Sequence, residues 1–127
     1  MIGMKRLLLA SLATIALSTP AAAGDSPLSG AWRLSAKVAS VPFHLICKFE
    51  QMGGKLSGKC VDPAGHKDLP LTSGAVDGDH VTFTHRGSFL LNTFDVNYAG
   101  VRDGNQITGR IDVFGHTGDF TAVRDAG

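Results

Sequence analysis

Few side chains in this chain of 127 residues can do acid–base or ligand chemistry near neutral pH, so each can be weighed separately. There are five histidines (His44, His66, His80, His85 and His116) and a single tyrosine, Tyr98. The histidines fall on separate segments with no His-x-His spacing to bring two imidazoles to one ion, so no metal site is expected. His85 could exchange a proton with Tyr98 or with an aspartate. Ser57 and Ser88, however, lie in no nucleophile-elbow sequence, and no nucleophile–base set is visible, so no catalytic residue is assigned. Cys47 and Cys60 are not in Cys-x-x-Cys spacing, which points to a structural disulfide rather than a redox pair. What remains is recognition. His85, Asn92 and Tyr98, set among Phe43, Phe83 and Phe94, would give a few polar groups in an aromatic lining. Such a lining suits a small apolar or amphipathic ligand and calls for no cofactor.

Those residues need strands to hold them, and Phe43 to Asp62 (FHLICKFEQMGGKLSGKCVD) organises the rest. Gly53-Gly54 supplies the positive φ of a two-residue hairpin turn. Counting outward, Met52 faces Lys55, Gln51 faces Leu56, Phe49 faces Gly58, and Cys47 faces Cys60. The alternation of ladder pairs makes Cys47/Cys60 a non-hydrogen-bonded pair, where side chains approach within disulfide range. Leu45, Cys47, Phe49, Leu56 and Cys60 share the core face, and the lysines lie mostly on the other.

Met1 to Ala23 reads as a secretory signal. Lys5 and Arg6 form its basic start, Leu7 to Leu17 its apolar run, and Ala21-x-Ala23 its cleavage site. The apolar run is too short for an ordinary membrane span, and no cysteine ends it, so no stable membrane anchor is expected. Cleavage leaves residues 24–127 as one domain, periplasmic or secreted, where a disulfide is at home. Losing Lys5 and Arg6 from the 12 basic residues leaves 10 against 11 acidic ones. Nothing in that balance suits a nucleic-acid partner.

Period-two alternation continues through the chain. The first strand is Ala31 to Ala39, and after the hairpin come Leu69 to Asp77 and His80 to Arg86. Gly87-Ser88 then turns into Phe89 to Val101. Asp103-Gly104 turns into Gln106 to Phe114, so that Phe94 faces Val113 and Tyr98 faces Gly109. Asp119 to Arg124 is last. Eight short antiparallel strands with no convincing helix make an all-β up-and-down meander, and eight strands can close into a barrel that leaves no edge. Tight turns near 53, 78 and 103 share one end with both chain termini. Looser connections at 40–42, 62–68, 86–88 and 115–117 share the other, and strand parity collects Phe43, Phe83, His85, Asn92 and Phe94 there, with Tyr98 deeper.

With the strands placed, the two ends of the chain can be compared. Gly30-Ala31-Trp32 opens the first strand and Arg124 ends the last. This resembles the lipocalin-like, or calycin, barrels, in which a Gly-x-Trp on the first strand packs beneath an arginine of the last. The resemblance implies closure of one end by Gly30, Trp32 and Arg124, and a small hydrophobic ligand at the other. The chain departs from the pattern in being short, with no helix after Arg124 and no further lipocalin motif. With one tryptophan and one tyrosine it lacks the aromatics of an avidin-type biotin site. The Gly-x-Trp opening and the early disulfide are also similar to small periplasmic barrel inhibitors of metalloproteases. That likeness implies a protease as partner, met by the Gly24 to Ser29 tail or a mouth loop. The third reading is an isomerase or cyclase working inside the barrel.

Overall fold

A computed structural model describes residues 27–125, so the secretory signal expected over 1–23 lies outside the described residues. Eight strands follow in order: β1 Gly30–Val38, β2 Val41–Met52, β3 Lys55–Val61, β4 Asp68–Asp77, β5 His80–Phe89, β6 Asn92–Asp103, β7 Gln106–Val113 and β8 His116–Arg124. Each pairs antiparallel with the next, and β8 pairs with β1, closing the barrel. The described residues contain no helix. The chain is therefore an all-β, eight-stranded antiparallel meander closed into a barrel, as its alternation predicts.

The β2–β3 register is the expected one, from Met52↔Lys55 to Cys47↔Cys60, and the two cysteines form a fully buried disulfide. Four turns differ from the sequence reading; at one of them the turn is Phe114-Gly115, and β8 begins at His116 rather than at Asp119. The β6–β7 turn is Gly104-Asn105, with Asp103 paired to Gln106, so Tyr98 faces Ile111 and Val96 faces Val113. Gly104 carries the positive φ at the first turn position, the geometry of a turn with glycine leading. The error moves every pair by two residues in sum, which preserves the inward face. The strand after Ala39-Ser40 begins at Val41 and includes Pro42, opposite Lys37. Residues 41 to 45 of β2 have no partner on β3, whose pairing stops at Ile46↔Val61, so the missing proline N–H breaks no ladder there. Finally, β5 runs through Gly87 and Ser88 to Phe89, and the turn is Leu90-Leu91.

The barrel is solid through its middle and closed end. Phe83 stacks on Tyr98 at 4.4 Å, and both meet Phe120 edge-on, while Phe49 meets Phe83 edge-on at 5.0 Å. Edge-to-face and offset stacks of this kind add to the area they bury. Trp32, Leu34, Leu56, Ile107 and Ile111 fill the space around them.

At the closed end the Arg124 guanidinium lies 4.4 Å from the centre of the Trp32 ring. It donates from Nη1 to the Ser29 carbonyl at 2.9 Å, from Nη2 to the Pro27 carbonyl and from Nε to Asn105 Oδ1. Gly30, with φ of 122°, sits beside it, and a Cβ there would stand 3.0 Å from Nη1. Residues 27–29 are not a loose tail. Leu28 is fully buried, its carbonyl accepts from Trp32 Nε1 at 2.9 Å, and its N–H donates to Gln51 Oε1. The tail expectation fails there because a leucine at position 28 gains more by plugging the barrel than by trailing in water.

Candidate functional site

The other end is open. Between the tops of β1, β2, β4, β5, β6 and β7 lies a basin of about 320 Å³. Val38, Val41, Phe43, Leu69, Phe94 and Val113 wall it, with Leu45, Val96 and His85 more deeply buried. Where β2 has outrun β3, a wider bay of about 680 Å³ opens beside it and shares Phe43, Leu45, Leu69 and Phe94. The bay adds polar groups: Asp62, Lys67, Asp68, Arg86, Ser88 and Thr93. The β3–β4 loop at its margin is fixed by Asp62, whose Oδ1 accepts from His66 N–H at 2.6 Å and Lys67 N–H at 3.0 Å. Those bonds favour the carboxylate, so its pKa lies below the ordinary value, with the Lys67 bond contributing most.

Gly87 shows how local sequence shapes the basin. It is not a turn residue. It pairs with Phe94, and a Cβ on it would stand 2.6 Å from the Phe94 ring. The glycine leaves room for that ring to lie across the β5 backbone, and the ring also meets Phe114 at 4.8 Å.

His85 is the polar group deep in the basin, at 3 % exposure. Its Nδ1 lies 3.1 Å from the Arg86 carbonyl, which can only accept, so Nδ1 carries the hydrogen. Nε2 is then an acceptor, and at 2.9 Å it takes the Tyr98 hydroxyl proton as a hydrogen bond. Burial disfavours the charged ring and holds the His85 pKa below its ordinary value, and burial raises that of Tyr98 as well. Both ring nitrogens are thus engaged by the protein. The imidazole lone pair is committed to a buried phenol rather than presented to the basin.

Of the six residues singled out from the sequence, Phe43, His85 and Phe94 line the basin. Phe83 and Tyr98 lie in the aromatic stack, each 2 % exposed, with Tyr98 reaching the site through its hydroxyl. Asn92 stands exposed as the first residue of β6, because the turn falls at Leu90-Leu91 rather than at Gly87-Ser88. Val38, Val41, Leu45, Leu69, Val96 and Val113 were missed. They have the inward parity, but an aliphatic residue at a basin wall reads the same as one in a core. No group of three or more histidine, cysteine or carboxylate side chains is placed to hold a metal ion among the described residues.

No protein-family model matches the chain, and no characterised protein is similar to it at a significant level.

Proposed function

We propose that this is an exported, calycin-like carrier whose open end takes a small amphipathic molecule, its apolar part in the basin and its polar part in the bay. The observation that carries this reading is the basin lining: aliphatic and aromatic walls, with both nitrogens of the buried histidine already occupied. Such a cavity offers a ligand no free donor, so it selects for hydrocarbon. Its volume is near the lower end of the ~300–1,000 Å³ typical of ligand pockets, so it suits a short chain, a single ring system or the end of a longer chain. The Trp32–Arg124 closure and the single barrel support the calycin likeness, and the buried disulfide supports an oxidising destination. The protease-inhibitor reading has less support, since Pro27 to Ser29 are tied into the closed end.

The test is titration with an apolar fluorescent probe that brightens on leaving water. Wild-type protein should bind it saturably. Val113→Phe, on a half-buried wall, should fill the basin and weaken binding by roughly tenfold or more while the melting temperature stays close to wild type. Absence of saturable binding, or equal binding by a folded Val113→Phe protein, refutes the carrier reading.

A further inference from the structure

The turns at the two ends of the barrel are built by opposite rules. At the closed end Gly53, Gly78 and Gly104 take the positive φ. At the open end that conformation falls to Ala39, Ser40, Leu90 and Phe114, with φ between 51° and 65°, and only Gly115 among the open-end two-residue turns is a glycine. These four are the positive-φ non-glycine residues among those described. A left-handed backbone is unfavourable for a side chain with a Cβ, and most of all for a bulky one. Two of these turns carry Leu91 at 100 % exposure, Leu90 at 84 % and Phe114 at 66 %, and Val41, at 61 %, begins β2 directly after the third. Strain and exposed hydrocarbon therefore coincide on two separate hairpin tips, and at the third an exposed valine flanks the strained pair, all around one mouth. Met52, Val101 and Val123, also exposed, stand singly, nearer the closed end. Exposed apolar clusters at one rim mark a docking surface.

We infer that this rim, Val41, Leu90, Leu91 and Phe114, inserts into the interfacial layer of a lipid bilayer, mouth down. The shape and number of the tips choose this occupant over a protein. A stable protein interface needs roughly 20 to 30 residues a side on complementary surfaces. Here three large side chains project from narrow turns and a fourth from the strand end beside another, around a hollow, which a fluid phase can fill and a rigid surface cannot. The charges nearest the rim are mixed: Lys37, Lys67 and Arg86 against Asp62, Asp68, Asp95 and Asp112, with Arg86 and Asp95 paired at 3.1 Å. That balance suits a surface met through hydrocarbon and not through charge. The barrel does not span, because its outer wall carries exposed Arg33, Lys48, Glu50, Arg110 and Asp119 where a lipid-facing band would need apolar residues. The inference stands on the rim alone and does not need the basin to bind anything.

The experiment uses vesicles of phosphatidylcholine, alone and mixed with an equal part of phosphatidylglycerol, and measures co-flotation of the protein. The test variant is Leu90→Gly/Leu91→Ser/Phe114→Asn, which converts two strained turns to Gly-Ser and Asn-Gly, sequences those turn types favour. Its melting temperature should stay close to that of wild type, relief of the two strained turns offsetting the lost Phe114–Phe94 contact, and a folded variant means that a loss of binding cannot be blamed on unfolding. Wild type should float with both vesicle types, within about threefold of each other and with little salt dependence. The variant should bind roughly tenfold less or weaker still. If wild type stays unbound, or the folded variant floats equally well, the inference is wrong. It is equally wrong if wild type is a dimer that the variant dissociates, since the rim is then a protein interface. Because Phe114 packs on the basin wall at Phe94, probe binding is measured on Leu90→Gly/Leu91→Ser alone, which leaves that contact in place and reports on the carrier reading separately.

Discussion

The buried His85–Tyr98 pair is where the physical account can be pressed hardest. Tyr98→Phe removes the hydroxyl and leaves Nε2 of His85 without a donor in the core. His85→Phe leaves the Tyr98 hydroxyl unpaired and also strips the Nδ1–H from the Arg86 carbonyl. Each single change orphans a buried polar group, at a cost of about 1–3 kcal/mol. The double variant keeps two aromatic rings and removes both partners, so its loss should be well below the sum of the singles, with a coupling of about 1–2 kcal/mol. Urea unfolding at pH 8, where the imidazole is neutral in both states, reads this from the midpoints, provided the slopes agree. Additive single losses would refute the assignment of Nε2 as the acceptor of the Tyr98 proton.

The same residue fixes a pH dependence whose sign follows from burial. The folded His85 pKa is depressed below the ordinary 6.5, so the unfolded chain binds the proton more readily. Stability is full above that unfolded value and falls as pH drops through 6.5 toward the folded pKa, by at most about 1.4 kcal/mol per pH unit. His85→Phe should flatten that part of the curve by one proton. Asp62, also depressed, acts in a separate window, because its contribution is lost only as pH falls through and below its ordinary 3.8. A slope between pH 6.5 and 5 that is unchanged in His85→Phe would show that His85 does not carry it.

Arg124→Ala should cost about 2 kcal/mol by urea unfolding, through lost charged hydrogen bonds and the stacked indole, discounted for partial exposure. Arg124→Lys should recover little, since a point charge cannot address the Ser29, Pro27 and Asn105 oxygens at once, and a lysine variant as stable as wild type would contradict this. Replacing both Cys47 and Cys60 by alanine should lower stability by up to about 3 kcal/mol while far-ultraviolet circular dichroism stays that of the barrel, because the β2–β3 ladder does not depend on the bond. Loss of all strand signal in that variant would mean that the staple, and not the ladder, sets the register.

The closed end was more legible than the mouth, for a reason that lies in the turns. Gly53-Gly54 and Gly78-Asp79 announce themselves because the residue suited to positive φ occupies it, and from Gly53-Gly54 the cysteine pairing follows by counting. Even at Gly104 the misplacement by one residue left every inward residue inward. At the mouth the punctuation misleads. Pro42 and Gly87 lie within strands, and the true turns, Leu90-Leu91 and Phe114-Gly115, look like strand interiors. This left Asn92 exposed beside the rim and out of the basin lining, and hid the rim altogether. The basin itself was half-legible, because parity finds Phe43, His85 and Phe94 but cannot separate Val96 or Val113 from core.

That difference in legibility is itself informative about the molecule. Glycine at positive φ is what folding alone would select, and the closed end, packed by Trp32, Leu28 and Arg124, follows that rule. A leucine and a phenylalanine at positive φ, turned toward water, oppose folding twice, through backbone strain and through exposed hydrocarbon. Phe114 recovers part of this by packing on Phe94, which in turn rests on Gly87 and walls the basin. The contact joins one rim residue to the cavity, so whatever draws Phe114 into an apolar phase also bears on the wall of the basin. Leu90 and Leu91, at 84 % and 100 % exposure, recover far less within the barrel. Sites where local rules are broken without intramolecular compensation are where function is to be sought, and in this chain they ring the mouth.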